Sequence, residues 1–522
     1  MKRHLGLLFL TVLTALGQTT LLRAQETNKN EEKPAAVKKS ASETAKPKEK
    51  SSVTEHTIRI GGATIPYKAT AGTILLKDDK GEPTASMFYV AYTRSDVKDL
   101  SRRPVAFLYN GGPGSSTVWL HMGAFGPRRV VTANAAPTPP APYKLEDNAE
   151  TLLDKTDLVF IDAIGTGYSQ AVGKSKDKDF WGVDPDVNAF AQFITRYVSR
   201  NDRWNSPKYL IGESYGTFRS AALGDYLQST DGMDLNGIVL ISTVLNMGTL
   251  SFPLGEDMPY VFYLPSYAAT AWYHKVLKNR PADLNAFLTE ARQFASTDYA
   301  NALMKGSNLS DEERDAVVKK LSEFTGLSED YLTKAKLRVN LPQFMEELQR
   351  NKGQITGRLD SRFSGPMLDL LGEYASYDPQ ESAITGAFTA AFNHYIRQEL
   401  KFEEDQPYNI MSENAGREWN WKHKGEQSYG FPGAPNVMGD LADALVSNPH
   451  LQVQAENGLY DMATPFFATE YTMDHLGLPP DLRRHIHLEY YDAGHMMYLL
   501  NPSLAKLKAN IARLIDSTSK SE

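Results

Sequence analysis

Six short apolar runs constrain the fold of this 522-residue chain more than any other feature. Each has the length of a strand and is mostly β-branched or aromatic: VAFLYN, DLVFIDA, KYLIGE, NGIVLIS, LQVQAEN and HIHLEYY. Helical stretches such as VDPDVNAFAQFITRYVSR lie between some of them. Apolar strands that alternate with helices predict an α/β fold, with a mostly parallel central sheet that helices cover on both faces.

The regions on either side of this pattern predict the domain organisation. HTIRIGG, TILLKDD and SMFYVAYTR alternate in polarity and predict an antiparallel start to the sheet. Region 245–435 has helical periodicity without a convincing strand run, and Ser310 with Glu313 forms a plausible capping box. We therefore predict a core made of residues 56–244 and 436–522, with residues 245–435 as a large helical cap insertion.

The N-terminal sequence has the pattern of a signal peptide. A basic start, MKR, precedes an apolar run from Leu5 to Leu16, which is short for a membrane span. We predict that residues 1–24 are a signal peptide cleaved after Gly17 or Ala24, and that the protein is exported to the periplasm or the exterior. An N-terminal membrane anchor is the alternative; no later stretch approaches 18 apolar residues, so no stable membrane insertion is expected after cleavage.

Composition limits the remaining functional classes. Residues 25–55 are rich in Lys, Glu, Ser, Ala and Pro, which predicts a disordered linker. A net charge of −7 argues against a nucleic-acid partner. The chain has no cysteine, which excludes disulfides, cysteine metal sites and thiol nucleophiles. We predict no cofactor, and the sequence leaves the oligomeric state open.

The first motif with chemical meaning is Gly212-Glu213-Ser214-Tyr215-Gly216. It follows the strand run KYLI and opens the helical run TFRSAALGDYLQST. In that context the turn lifts a serine hydroxyl above the edge of the sheet, and a helix N-terminus favours developing negative charge. The alternative is a glycine-rich turn with an incidental serine.

The loop NGGPG follows the strand VAFLY and could supply a backbone N–H group to the oxyanion that forms when such a serine attacks a carbonyl. An acyl-transfer site needs one N–H after the serine, here that of Tyr215, and another from a loop after an earlier strand. Gly111 and Gly112 let the backbone approach a substrate, and Pro113 stiffens the turn. A phosphate-binding loop is the alternative, but its spacing with lysine is absent.

A serine nucleophile also needs a base and an acid that orients the base. His495 lies in a loop just beyond the last strand run, and Asp461 follows the strand before it. Asp492 is the rival acid, but a neighbour in the same loop rarely reaches the far side of the imidazole. His485 and His487 alternate along a strand, where a structural or surface position is expected. They lack further convincing zinc ligands, so no metal site is predicted.

With these residues in place, the sequence resembles the serine carboxypeptidase family, peptidases of the α/β-hydrolase fold. NGGPGSS is similar to the family's NGGPGCSS, and the family's GESY elbow is intact. FIDAIGTGYS, GPRRV and AGHMM are similar to its FLDxPxGxGFS, GPFRV and GAGHMVP. The likeness covers roughly residues 100–245 and 445–510, in the same order.

The resemblance implies a peptide substrate and a set of catalytic residues. Ser214 would be the nucleophile, His495 the base and Asp461 the orienting acid, with the oxyanion held by the N–H groups of Gly112 and Tyr215.

The same resemblance implies that Asn110 and Glu213 bind the substrate's terminal carboxylate. The glutamate would then be protonated, or would share a proton with that carboxylate, because two bare carboxylates repel.

The sequence departs from the family in three ways. Ala124 stands where the family often has a second glutamate, its disulfides are absent, and the stretch from Asp461 to His495 is short. Two other readings therefore stay open. One is a different α/β-hydrolase, such as an esterase, acyltransferase or aminopeptidase, and the other is a catalytically silent binding protein.

Overall fold

The strands of the protein correspond to the apolar and alternating runs of the sequence. The computed structural model describes residues 47–424 and 433–519. Its strands are β1 (Ser51–Ile60), β2 (Ala63–Lys77), β3 (Pro83–Arg94), β4 (Val105–Tyr109), β5 (Arg128–Val130), β6 (Leu145–Asp147), β7 (Asp157–Ile161), β8 (Gln170–Ala171), β9 (Lys208–Glu213), β10 (Gly237–Ile241), β11 (Gln354–Thr356), β12 (Ser364–Pro366), β13 (Gln452–Gly458) and β14 (Ile486–Tyr491).

One large sheet carries the parallel strands. Its order is β1-β2-β3-β7-β4-β9-β10-β13-β14, and β8 pairs with β3. β1, β2, β3 and β7 pair antiparallel, whereas pairing from β7 through to β14 is parallel. Every residue of β4, β7, β9 and β10 is buried, which explains why these runs are apolar throughout. The predicted parallel sheet with an antiparallel start is confirmed.

Helices cover both faces of this sheet and also build much of the insertion. They are α1 (Val183–Arg200), α2 (Tyr215–Ser229), α3 (Met258–Tyr273), α4 (Leu284–Phe294), α5 (Ala300–Lys305), α6 (Asp311–Thr325), α7 (Glu329–Lys334), α8 (Leu341–Glu347), α9 (Pro379–Gln398), α10 (Glu413–Arg417), α11 (Met438–Ser447), α12 (Phe466–Asp474), α13 (Pro480–Arg483) and α14 (Asn501–Thr518). Within the described residues, none of them is long and apolar enough to cross a bilayer.

Two apolar layers form because successive strand residues face opposite sides of the sheet. Leu210 of β9 packs into a layer with α1, α2 and α11, while Ile211 packs into the opposite layer with α9 and α14. The carboxyl ends of the parallel strands meet at one edge between these layers. The loops after β4, β9, β13 and β14 therefore converge there, and these loops hold the residues that the sequence singles out.

The insertion is helical, as expected, but part of it belongs to the core. α3, α4, α6, α7 and α8 share a separate apolar cluster, and the Ser310–Glu313 capping box at the start of α6 is present. In contrast, α9 packs on the sheet through Phe388 and Phe392. The short hairpin of β11 and β12 was not expected, because strands of three residues leave no period to detect in the sequence.

Strand β1 corrects the predicted start of the folded region. The disordered linker predicted over residues 25–55 is wrong for residues 51–55, which pair with β2 in a regular register from Ser51↔Gly72 to Ile60↔Ala63. Lys50 also pairs with Glu404 at 2.7 Å. The composition of this segment did not indicate a strand, because β1 is an edge strand of the sheet and half of its side chains face solvent. The predicted signal peptide and residues 25–46 lie outside the described residues.

Limited proteolysis of the full chain tests this boundary. We expect proteases to cut within residues 25–46, whose composition predicts disorder, and to stop before Ser51, because the pairing of β1 protects its backbone. N-terminal sequencing and intact mass identify the cut sites. A chain lacking residues 1–46 should keep its thermal midpoint, and one lacking residues 1–62 should lose several degrees. Equal midpoints for the two truncations would contradict the pairing.

Candidate active site

The turn between β9 and α2 holds Ser214 in a strained conformation. Its φ of 59° and ψ of −127° lie where non-glycine residues are rare. Both flanking glycines are required by close contacts. A Cβ on Gly212 would lie 2.2 Å from the carbonyl oxygen of Gly216, and one on Gly216 would lie 2.9 Å from that of Tyr109. The turn leaves Ser214 partly exposed while its neighbours are buried.

The loop after β4 lies directly against this turn. A Cβ on Gly111 would lie 2.3 Å from the amide nitrogen of Tyr215, so only glycine fits there. The next residue, Gly112, has a φ of +105°, which also favours glycine. Tyr215 is the first residue of α2, so its N–H has no intrahelical partner. The structure thus brings the segments of the two predicted oxyanion donors, Gly112 and Tyr215, into backbone contact.

Asp461 and His495 form a buried pair. Asp461 Oδ2 lies 2.8 Å from His495 Nδ1, and the two residues come from the loops after β13 and β14. Asp461 also accepts hydrogen bonds from the N–H groups of Ala463 and Thr464 and from the Thr464 hydroxyl, at 2.7 to 2.9 Å. Burial is the largest single effect on the pKa of His495 and lowers it, but the charge and the hydrogen bond of Asp461, together with the charge of Glu213, raise the pKa above its ordinary value.

The His495 loop is also tied to the strand beside the elbow. The Ser242 hydroxyl donates to the His495 carbonyl oxygen at 2.7 Å, and the Ser214 N–H donates to the Ile241 carbonyl at 2.9 Å. Because Asp461 takes Nδ1, Nε2 is the ring nitrogen left for a reacting hydroxyl. The hydrogen bonds of the described residues do not join Ser214 to His495; in many enzymes that bond closes only with substrate bound.

Glu213 is a buried carboxyl beside this pair. It is 2% exposed, and burial raises its pKa to about 7. The neighbours that act on its pKa include His495, Tyr498 and Asn110. Within the described residues Glu213 Oε2 has no hydrogen-bond partner. Asn110 is held by its own Oδ1, which accepts from the Leu120 N–H at 3.0 Å.

Comparisons with known proteins bear on this geometry. A family model described as serine carboxypeptidase matches residues 61–492. The chain belongs to the serine carboxypeptidase family. It is therefore an α/β-hydrolase-fold enzyme that hydrolyses peptides.

A solved structure shares the fold of this chain. KEX1(DELTA)P, a prohormone-processing carboxypeptidase from Saccharomyces cerevisiae, superposes with a TM-score of 0.56 at 17% identity, over 86% of this chain and 91% of that one. A proline iminopeptidase from Mycobacterium smegmatis has a TM-score of 0.35 at 13% identity, over 89% and 99% of the two chains. A search of curated sequences returns no significant match.

The rival residues of the sequence analysis lie apart from the buried pair. Asp492 is exposed, and its carbonyl oxygen accepts from Arg362 at 3.1 Å. The His487 side chain lies on the exposed face of β14, 3.3 Å from Gln452 Oε1. Asp461 is thus the acid that contacts the predicted base. Among the described residues, no group of three or more histidine or acidic side chains is arranged to hold a metal ion.

Sequence reasoning missed two residues that support the site of this serine carboxypeptidase. Tyr498 follows His495 by three residues and lies beside Glu213. Arg219, fully buried in α2, donates to Asp186 at 2.6 Å and to the Asn110 carbonyl at 2.9 Å. Arginine in the otherwise apolar run TFRSAAL was a usable signal, because a fully buried charge needs a partner.

Replacing Gly111 by alanine tests the contact between the loop and the elbow. We expect Gly111→Ala to lower kcat/KM for an uncharged ester at least about 100-fold, as loss of an oxyanion donor does, because the added Cβ must displace the Tyr215 amide. Gly439→Ala is the matched control, since a Cβ there meets nothing within 4 Å. Circular dichroism checks the fold, and full activity in a folded Gly111→Ala protein would refute the contact.

Proposed function

We propose that Ser214, His495 and Asp461 are the catalytic triad of a serine carboxypeptidase that releases C-terminal residues from peptides. The support is the strained elbow at Ser214 and the buried pair of Asp461 and His495 at the same edge of the sheet. Asp461 fixes the imidazole by accepting from Nδ1–H, which leaves Nε2 free to act as the base.

In acylation, Ser214 Oγ attacks the carbonyl carbon of the scissile bond while His495 Nε2 takes the hydroxyl proton. The N–H groups of Gly112 and Tyr215 stabilise the negative oxygen that forms. His495 then gives its proton to the leaving nitrogen, and the carbon–nitrogen bond breaks.

Deacylation repeats these steps with water. His495 Nε2 removes a proton from the water, whose oxygen attacks the acyl carbon. The proton then returns to Ser214 Oγ, and the shortened peptide leaves with a new carboxylate. Metal and cofactor have no part in this proposal.

Asn110 and Glu213 are proposed to recognise the terminal carboxylate of the substrate. The observation that carries this is the unpartnered Oε2 of Glu213, whose pKa burial raises to about 7. A protonated Glu213 donates a hydrogen bond to a carboxylate, whereas an ionised one repels it. Ala124 leaves no second carboxyl at its position, so Glu213 is the single acid of this proposed subsite.

We also propose that residues 1–24 direct export, with cleavage after Gly17 or Ala24 and a periplasmic or extracellular mature protein. The support is the pattern of the sequence. N-terminal sequencing of the protein from its native host tests this, and an intact Met1 in the cytosolic fraction would reverse it.

The pH dependence of matched substrates tests the carboxylate proposal. We expect the ratio of kcat/KM for a blocked peptide acid to that for its C-terminal amide to fall as pH rises through about 7, because Glu213 loses its proton there. Taking the ratio cancels the titration of His495, which affects both substrates alike. Glu213→Gln keeps a donor and should flatten the ratio, mostly through KM.

Two results would contradict this proposal. One is a ratio that does not change with pH in the parent enzyme. The other is an amide that is the better substrate throughout, which would favour the alternative of a general esterase, acyltransferase or aminopeptidase.

A further inference from the structure

The segment from Gly357 to Phe363, between β11 and β12 of the insertion, contacts both loops that hold the proposed base and acid. The His495 N–H donates to the Leu359 carbonyl at 2.6 Å, and the Met462 N–H donates to the Arg358 carbonyl at 3.1 Å. The Arg358 carbonyl therefore bonds to the residue that follows Asp461. The neighbouring carbonyl, that of Leu359, bonds to His495 itself.

This segment is held firmly. Asp378 Oδ2 accepts from the N–H groups of both Arg358 and Leu359 at 2.9 Å. Asp360 is buried in an ion pair with Arg362 and also accepts from the Gly494 N–H at 3.2 Å. Because these bonds fix the backbone, the Cα atom of Arg358 has a fixed position. A residue that determines substrate specificity needs such rigid support.

The Arg358 side chain is exposed, and within the described residues it has no ion pair or hydrogen bond. The carboxylates around it are already engaged, since Asp461 pairs with His495, Asp360 pairs with Arg362, and Asp378 caps α9 while holding the backbone.

The charge of Arg358 acts on the proposed base. Burial and Asp461 have the largest effects on the pKa of His495, and Arg358 lowers it. Arg358 also lowers the pKa of Tyr263, which burial raises. Because the backbone of Arg358 and Leu359 bonds to the loops of Asp461 and His495, the Arg358 side chain starts beside both loops, and its donors are uncommitted within the described residues.

We propose that Arg358 binds a carboxylate of the residue that the enzyme releases. This inference rests on the carboxypeptidase function proposed above and adds a cation to the subsite of Asn110 and Glu213. A guanidinium matches a carboxylate with two parallel hydrogen bonds. The carboxylate has two sources, the free C-terminus or an acidic side chain of the leaving residue.

The test uses the full-length enzyme and four substrates. A blocked peptide acid ending in Gln is the reference; its C-terminal amide removes the terminal charge, and a peptide acid ending in Glu adds a side-chain charge. An ester without charge reports the catalytic groups alone. Arg358→Gln is the variant, and Arg314→Gln, at a half-buried position of α6 paired with Asp311 and Asp315, is the control.

We expect Arg358→Gln to lower kcat/KM at least about tenfold for the favoured carboxylate substrates, mostly through KM. Ester hydrolysis should change less than about twofold at a pH high enough that His495 is neutral in both proteins, because the effect of Arg358 on the pKa of His495 no longer matters there. If the terminal carboxylate is the source, the preference for acid over amide collapses. If the side chain is the source, the preference for Glu over Gln collapses. Arg358→Lys should restore part of the loss, and Arg314→Gln should match the parent.

Equal losses for all four substrates would overturn the inference, because they would mean that Arg358 acts by holding the loops. Unchanged preferences in Arg358→Gln would overturn it as well. The failure of the proposed function is distinguishable, because the parent enzyme itself would then release no C-terminal residue from either peptide acid.

Discussion

The site depends first on the backbone contact between the loop after β4 and the first turn of α2. Gly111 lies so close to the Tyr215 amide that no larger residue fits. Buried Arg219 joins the same two segments, because it extends from α2, pairs with Asp186 of α1 and donates to the Asn110 carbonyl. Removing either partner of the buried Arg219–Asp186 pair costs about 3–5 kcal/mol, because the other charge is then buried without a partner. The parallel sheet then brings the remaining site residues to the same edge.

The two carboxyl groups near His495, those of Asp461 and Glu213, have different hydrogen-bond surroundings. Asp461 accepts three hydrogen bonds besides its contact with the imidazole, whereas Glu213 Oε2 accepts none from the described residues. Burial therefore raises the pKa of Glu213 to about 7. Two carboxyl groups beside one imidazole can take different protonation states when their surroundings differ in this way. In the function proposed above, that difference would let one carboxyl orient the base while the other donates to a substrate.

The sequence predicted the parts of the molecule that depend on local patterns. The six apolar runs became strands, and in β4, β7, β9 and β10 both faces are buried. The glycines around Ser214 mark a turn that few other sequences can form. Asp461 was separable from Asp492 because each strand end fixes where its loop lies.

Residues that act through distant contacts could not be predicted in the same way. Strand β1 is polar and depends on its pairing with β2. Tyr498 and Arg358 lie at the site through contacts with residues far along the chain; Arg358, for example, lies more than a hundred residues before Met462 and His495. Such contacts leave no periodicity or motif in one sequence.

The most direct measurement of the central claim is the product ladder from a mixture of blocked peptides incubated with the purified enzyme and read by mass spectrometry over time. We expect stepwise loss of residues from C-termini, with no ladder from Ser214→Ala prepared in parallel. Cuts within the peptides, or an undiminished ladder from Ser214→Ala, would contradict it.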